Sequence, residues 1–216
     1  MRYMIILFFF TSTIFVNEAN TVVVKQLSVK EKKKRFIKLV LPPIEKVYNE
    51  LQTQYEEILE DMKYSRNLYK KEMLKEEYKV QSDEELLMAL KPHPKSIALA
   101  QAAIESAWAT SRFFKEANNV FGMWSSNKNK PRIAALKKRG NKTIWLKKFD
   151  SLEDSIRAYY KLLATSKAYK EFRELKIISD DVYLLEEKLH NYSELGYEYS
   201  IRLQSVTRYN NFTKYD

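Results

Sequence analysis

Residues 96–108, SIALAQAAIESAW, set one carboxylate, Glu105, in a run that is otherwise almost wholly apolar or small. The alanines, leucine and glutamine favour a helix. With apolar residues on nearly every side, the helix is expected to run through a core rather than along a surface. It is predicted to extend from Ser96 to about Lys115, with Asn118, Asn119 and Gly122 of NNVFG as the turn formers that end it. A charged, unpaired carboxylate in such surroundings carries a heavy desolvation penalty. Two escapes are open. Either Glu105 is paired with a buried base, or its pKa rises and it stays protonated near neutral pH. A protonated carboxyl at a cleft wall is a general acid, the group that glycosidic bond cleavage requires.

The chain on either side is mostly helical in pattern. Residues 28–80 are rich in Lys, Glu, Leu and Tyr. Phe36, Leu39 and Val40 share one face; Pro42 and Pro43 then interrupt the pattern and suit the first turn of a new helix. That second helix carries Val47, Leu51, Tyr55, Ile58, Leu59 and Met62 at helical spacing. It reads as an extension packed back on the domain, or alternatively as a coiled-coil arm. Ser82 with Glu85 three residues on is a capping box opening the helix SDEELLMAL. KPHPKS marks a break before Ser96. After the Glu105 helix, RIAALKKRGNKTIWLKKF (132–149) has two short runs around RGN, a hairpin pattern in which Thr143, Ile144 and Trp145 favour strand. Ser151 with Asp154 caps a further helix bearing Ile156, Tyr159, Tyr160 and Leu163, and the remaining segments, from AYKEFRELK to GYEYSIRLQSVTRY, read as helices.

Composition excludes several chemistries. The chain of 216 residues has no cysteine, so disulfides, thiol catalysis and a lipidated cysteine are out. His93 and His190 stand alone, and no acidic cluster has ligand spacing, so no metal and no cofactor are expected. There is no glycine-rich phosphate loop and no Ser–His–acid constellation. The net charge is +10, which suits an anionic wall or membrane surface; nucleic acid is suggested by charge alone and is not an expected partner. The N-terminus, MRYMIILFFFTSTIFVNEANT, has one arginine before an apolar run too short to span a bilayer comfortably. It reads as a signal peptide over residues 1–20, with an uncleaved anchor as the alternative.

Several motifs, in order, carry a resemblance. IALAQAAIESAWATSRFFKEANNVFGMW (97–124) resembles the glucosaminidase family of peptidoglycan hydrolases, with its alanine-rich helix, Glu-Ser and later Asn-Asn-x-Phe-Gly. KKRGNKTIWLKKFDSLEDSIRAYYKLLATSKAYKEFREL (137–175) resembles the hairpin and capped helix of that family, and LHNYSELGYEYSIRLQSV (189–206) its closing YS-x-x-G-x-x-Y stretch. KKKRFIKLVLP (32–42) is similar to the opening helix of the Bax-like branch. The likeness runs from about Lys32 to about Tyr209.

The resemblance implies a mostly helical α+β fold, lysozyme-like, with a small β-hairpin lobe inserted after the catalytic helix. It implies a helical extension over 28–80 and a catalytic domain over 81–216. The resemblance implies a hydrolase that cuts the β-1,4 bond after N-acetylglucosamine in peptidoglycan; the signal-like segment adds export, and a monomer is expected. Glu105 matches the family's catalytic acid. Tyr192 matches a tyrosine lining the active site, with Tyr197 as its competitor. Trp124, Asn119, Phe121 and Tyr197 are the expected substrate contacts, with Asn119 and Phe121 also structural and Trp108 assigned to core. One departure matters: between Met123 and Phe149 there is no Asp or Glu. Asp150, Glu153 and Asp154 read as helix-start acids, and Glu194 lies further on. A second carboxylate is therefore not evident, and the substrate's own N-acetyl group is expected to serve as nucleophile. A lytic transglycosylase and a non-catalytic glycan binder are the alternatives.

Overall fold

The computed structural model describes residues 27–216. The apolar leader segment lies outside them. Among the described residues no helix is long and apolar enough to cross a membrane.

The first described element is α1 (Val29–Lys63), opened by a capping box in which Ser28 Oγ accepts from the Glu31 amide. The helix passes without a break through Pro42 and Pro43, where the sequence predicts a new start. Each proline removes one backbone donor, and a helix-interior proline costs about 3 kcal/mol. Burial offsets this. Phe36, Val40, Ile44 and Val47 flank the two prolines and are all fully buried in the main core. At about 1.5–3 kcal/mol for each large apolar side chain, tertiary packing overrides the local preference.

Next come α2 (Leu68–Tyr78), α3 (Asp83–Leu90) and α4 (Lys95–Glu105). The Ser82–Glu85 capping box forms as its spacing predicts. Ser96 through Ile104 are all buried, and α4 packs against α1 on one side and α9 (Tyr197–Tyr209) on another. α4 thus sits at the centre of the core, with Glu105 as its last residue.

The helix predicted to reach Lys115 stops there. Ala107, Trp108 and Ala109 all have left-handed backbone angles (φ 50°, 61° and 60°) before α5 (Arg112–Ala117) restarts. Ser106 holds this turn: its Oγ donates to Ala102 O at 2.6 Å and accepts from the Ala109 amide at 2.8 Å. Ser111 then caps α5. Left-handed geometry costs an L-residue about 1–2 kcal/mol. Ala107 is exposed, so its methyl group gains little from packing. Ala107→Gly is expected to raise stability by up to about 1 kcal/mol, read as a higher Tm; a lower Tm would remove the strain from the account.

The β lobe is one antiparallel hairpin, β1 (Arg132–Ala134) and β2 (Trp145–Lys147), in the register Arg132↔Lys147, Ile133↔Leu146 and Ala134↔Trp145. Its tip turns at Gly140 (φ 56°), between bridged Arg139 and Lys142. Trp124 bridges to Leu146 on the outer side of β2. Two asparagines fasten this lobe to the helices. Asn119 Nδ2 donates to Lys147 O (2.8 Å) and Met123 O (2.9 Å), and its Oδ1 accepts from the Met123 amide (2.8 Å). Asn118 Nδ2 donates to Phe149 O at 3.0 Å.

The chain closes with α6 (Leu152–Thr165), capped by Ser151, then α7 (Lys170–Ile178), α8 (Val182–Glu187) and α9. The architecture is mostly helical with one small two-stranded sheet, as the sequence predicts.

Candidate active site

Glu105 stands where α4 ends, and that position acts on its charge. The negative end of the helix dipole lies beside it and disfavours a carboxylate. Packing shields the carboxyl from most of its water although the residue as a whole keeps some open surface. Burial pushes its pKa up to about 8, against the weaker opposing pull of the Tyr199 hydroxyl and the Arg202 charge. Glu105 therefore holds its proton at neutral pH. No base forms an ion pair with it among the described residues, so the buried-pair alternative does not apply.

The partner that reaches Glu105 is Tyr199. Its hydroxyl donates to Glu105 Oε1 at 2.9 Å. Tyr199 lies in the first turn of α9, which begins after Gly196 at φ 58°. Tyr192, matched to the site by motif, sits one layer behind. It is buried, its hydroxyl donates to Phe121 O at 3.2 Å, and its ring stacks on Tyr199 with centroids 5.7 Å apart. Tyr192 thus props the tyrosine that touches the acid. Tyr197, its expected competitor, points elsewhere: it is 70% exposed and stacks on His190 at 4.6 Å. The signal for Tyr199 is the final tyrosine of YS-x-x-G-x-x-Y. Residues 197 and 199 lie about 200° apart around a helix, so only one of them can face α4.

The expected substrate contacts divide. Trp124 remains 37% exposed at the sheet edge, with surface to offer a ligand. Phe121 has none: it is fully buried and stacks on Tyr159 with centroids 3.8 Å apart. Asn119 is buried as well, and both polar atoms of its amide serve the lobe junction. These two residues hold the lobes together and have no surface to offer a ligand. Trp108 packs against Phe36 and Phe212, at centroid distances of 5.2 and 6.2 Å.

Two of the acids beyond the hairpin have side-chain partners. Asp154 is bound by Ser151 Oγ (2.7 Å) and Arg157 (3.1 Å) at the start of α6, and Asp150 is exposed. Glu194 pairs with Arg139 of the hairpin tip at 3.2 Å, joining that tip to the loop before α9. None of Asp150, Glu153, Asp154 or Glu194 is among the charges that act on Glu105.

A helical lobe built round a buried helix that ends in the neutral carboxyl of Glu105, together with a small hairpin lobe, makes a lysozyme-like fold. The chain belongs to the glucosaminidase family: the family model described as mannosyl-glycoprotein endo-beta-N-acetylglucosaminidase matches residues 84–214. It is 36% identical over 81 residues to Protein bax of Escherichia coli, a match covering 38% of this chain and 27% of that protein. Its fold is similar to that of the catalytic domain of the autolysin Auto from Listeria monocytogenes, at a TM-score of 0.51 and 18% identity, covering 95% of this chain and 100% of that one. It is also similar to a mutant peptidoglycan hydrolase from Sphingomonas sp. A1, at a TM-score of 0.53 and 16% identity, covering 84% and 97%.

Proposed function

We propose that this protein is an exported endo-β-N-acetylglucosaminidase that cleaves the β-1,4 bond after N-acetylglucosamine in peptidoglycan. The observation that carries this reading is Glu105 itself, a neutral carboxyl at a core helix end with a tyrosine donating to one oxygen. Family membership supports it, as do neighbours whose names describe peptidoglycan hydrolysis.

In this mechanism Glu105 gives its proton to the glycosidic oxygen as the C1–O bond breaks. The N-acetyl carbonyl oxygen of the same sugar attacks C1 and forms a cyclic oxazolinium. Water then opens that ring, losing its proton to the Glu105 carboxylate, which restores the acid. Tyr199 steadies the carboxylate between the two steps by its hydrogen bond. Trp124 keeps an exposed ring that suits stacking on a sugar face, and Tyr197, turned away from Glu105 and backed by His190, offers its exposed ring to a more distant part of the glycan. The surplus positive charge attracts an anionic wall or membrane surface. In this reading residues 1–20 direct export, 28–80 form the helical extension, 81–216 hold the catalytic domain, and the protein acts as a monomer.

The test is digestion of purified peptidoglycan, with products reduced by borohydride and identified by mass spectrometry. Reduced N-acetylglucosamine ends are expected. Anhydro-muramic ends would assign the same single acid to a lytic transglycosylase. Binding without products would leave a glycan-binding module.

The proton on Glu105 also sets a pH dependence. The acid works only when protonated, so kcat/KM is expected to fall above about pH 8, tenfold per pH unit. With no second carboxylate required, no matching loss is expected as pH falls from 7 to 5. An acid-side loss near pH 4–5 would point to a carboxylate nucleophile.

A further inference from the structure

Glu105 and Tyr199 are the end of a longer chain of bonds. Gln101 lies one helical turn before Glu105 on α4, so both face the same side. Its Nε2 donates to Tyr199 Oη at 2.9 Å. Its Oε1 accepts from Tyr159 Oη, on α6, at 2.6 Å. Gln101, Tyr159 and Tyr199 are all fully buried. The order is Tyr159 to Gln101 to Tyr199 to Glu105, each donating to the next.

We propose that Gln101, held by Tyr159, is a positioning residue that fixes the transferable proton of Glu105 on Oε2. This rests on the reading of Glu105 as the acid. A carboxamide has two unlike ends: the oxygen only accepts and the nitrogen only donates. Suppose Gln101 were reversed. Its oxygen would then take the single Tyr199 proton, and Glu105 Oε1 would lose its donor in a dehydrated setting, a costly loss. Tyr159 opposes that reversal. Its ring is fixed by the Phe121 stack, and burial pushes its hydroxyl pKa well up, so it stays a donor. With the amide oxygen engaged by Tyr159, the amide nitrogen faces Tyr199. Tyr199 Oη receives that N–H and spends its own proton on Oε1. Oε1 is thus an acceptor in both charge states of Glu105, and the acid proton resides on Oε2. Oε2 has no protein hydrogen bond among the described residues, nor is it sealed off from solvent.

Two variants test this. Gln101→Met keeps the size and removes the polarity. Gln101→Leu removes the polarity in a second apolar shape, so Tyr199 loses the N–H that turns its own proton towards Glu105. The readout independent of turnover is the infrared C=O band of protonated Glu105, identified by its absence in Glu105→Gln. In both variants the band is expected at higher frequency, because Oε1 has lost or weakened its donor. On peptidoglycan, kcat is expected to fall about tenfold or more with KM within about twofold, and the alkaline limb to move to higher pH. Tyr159→Phe, which leaves Gln101 and Tyr199 in place, is expected to shift the band the same way by less. It keeps the test open if either Gln101 variant fails to fold. An unchanged band and an unchanged alkaline limb in a folded variant would overturn the proposal. A shifted band in a protein that cuts no glycan would uphold the chain of bonds and overturn the glycosidase reading instead.

Discussion

Glu105→Gln is expected to lower peptidoglycan cleavage by about 10²–10⁴-fold, the usual contribution of a positioned acid. The amide is nearly the same shape, and its oxygen can still accept from Tyr199, so the local geometry should survive. What disappears is the proton. The same variant also makes a stability prediction of defined sign. The folded-state pKa of Glu105 is raised to about 8 from an ordinary 4.5. Between those values the native state binds a proton that the unfolded chain has released. Stability contributed by this group is therefore present below about pH 4.5 and is lost as pH rises towards 8. Glu105→Gln removes that loss. Its Tm is expected to exceed that of the unmodified protein increasingly from pH 5 to pH 8, while activity is lost. Higher stability with lost function marks a site whose geometry is kept for chemistry. A variant that unfolds, or that cleaves at the normal rate, would contradict the assignment.

Phe36→Ala is expected to destabilise the protein by about 3–5 kcal/mol, the usual result of emptying a buried phenylalanine site. At this chain length that corresponds to a Tm lower by roughly 6–20 °C. Phe36 lies before the span matched by the family model, yet it is fully buried in the same core as α4. Its ring meets Trp108 edge-on at 5.2 Å, and Trp108 is the middle residue of the left-handed turn behind Glu105. The loss should therefore appear in thermal unfolding as one cooperative transition, and activity should fall at temperatures where the variant is still folded. A change below about 1 kcal/mol would make α1 a loosely attached arm.

Much of this was legible in the sequence because it rests on local, short-range patterns. The apolar surround of Glu105, the Ser82–Glu85 box, the Ser151 cap and the RGN hairpin each follow from spacing within a few residues. The misreadings share a different cause. Pro42 and Pro43 predict a break by local rules, but four buried neighbours hold the helix together from outside. The helix through Trp108 has good local propensity, yet Ser106 closes it with two side-chain bonds and the chain accepts three left-handed residues. Sequence motif singled out Tyr192 and passed over Tyr199, the residue of the same stretch that bonds Glu105. Only the helical phase set by Gly196, and the stack of one ring on the other, separates the contact from its support. Asn119 and Phe121 read both as structural and as substrate contacts because their motif adjoins the acid; burial favours the structural half of that reading, at the lobe junction.

The central claim is that Glu105 carries its proton at neutral pH, and it is tested most directly by titrating that one carboxyl. Carbon-13 labelling of glutamate side chains, with the Glu105 signal assigned by its absence in Glu105→Gln, gives the pKa without reference to any substrate. A midpoint near 8 is the predicted result, set by burial against the Tyr199 bond. A midpoint near 4.5 would mean a solvated carboxylate with no proton to give at neutral pH, and would contradict the account.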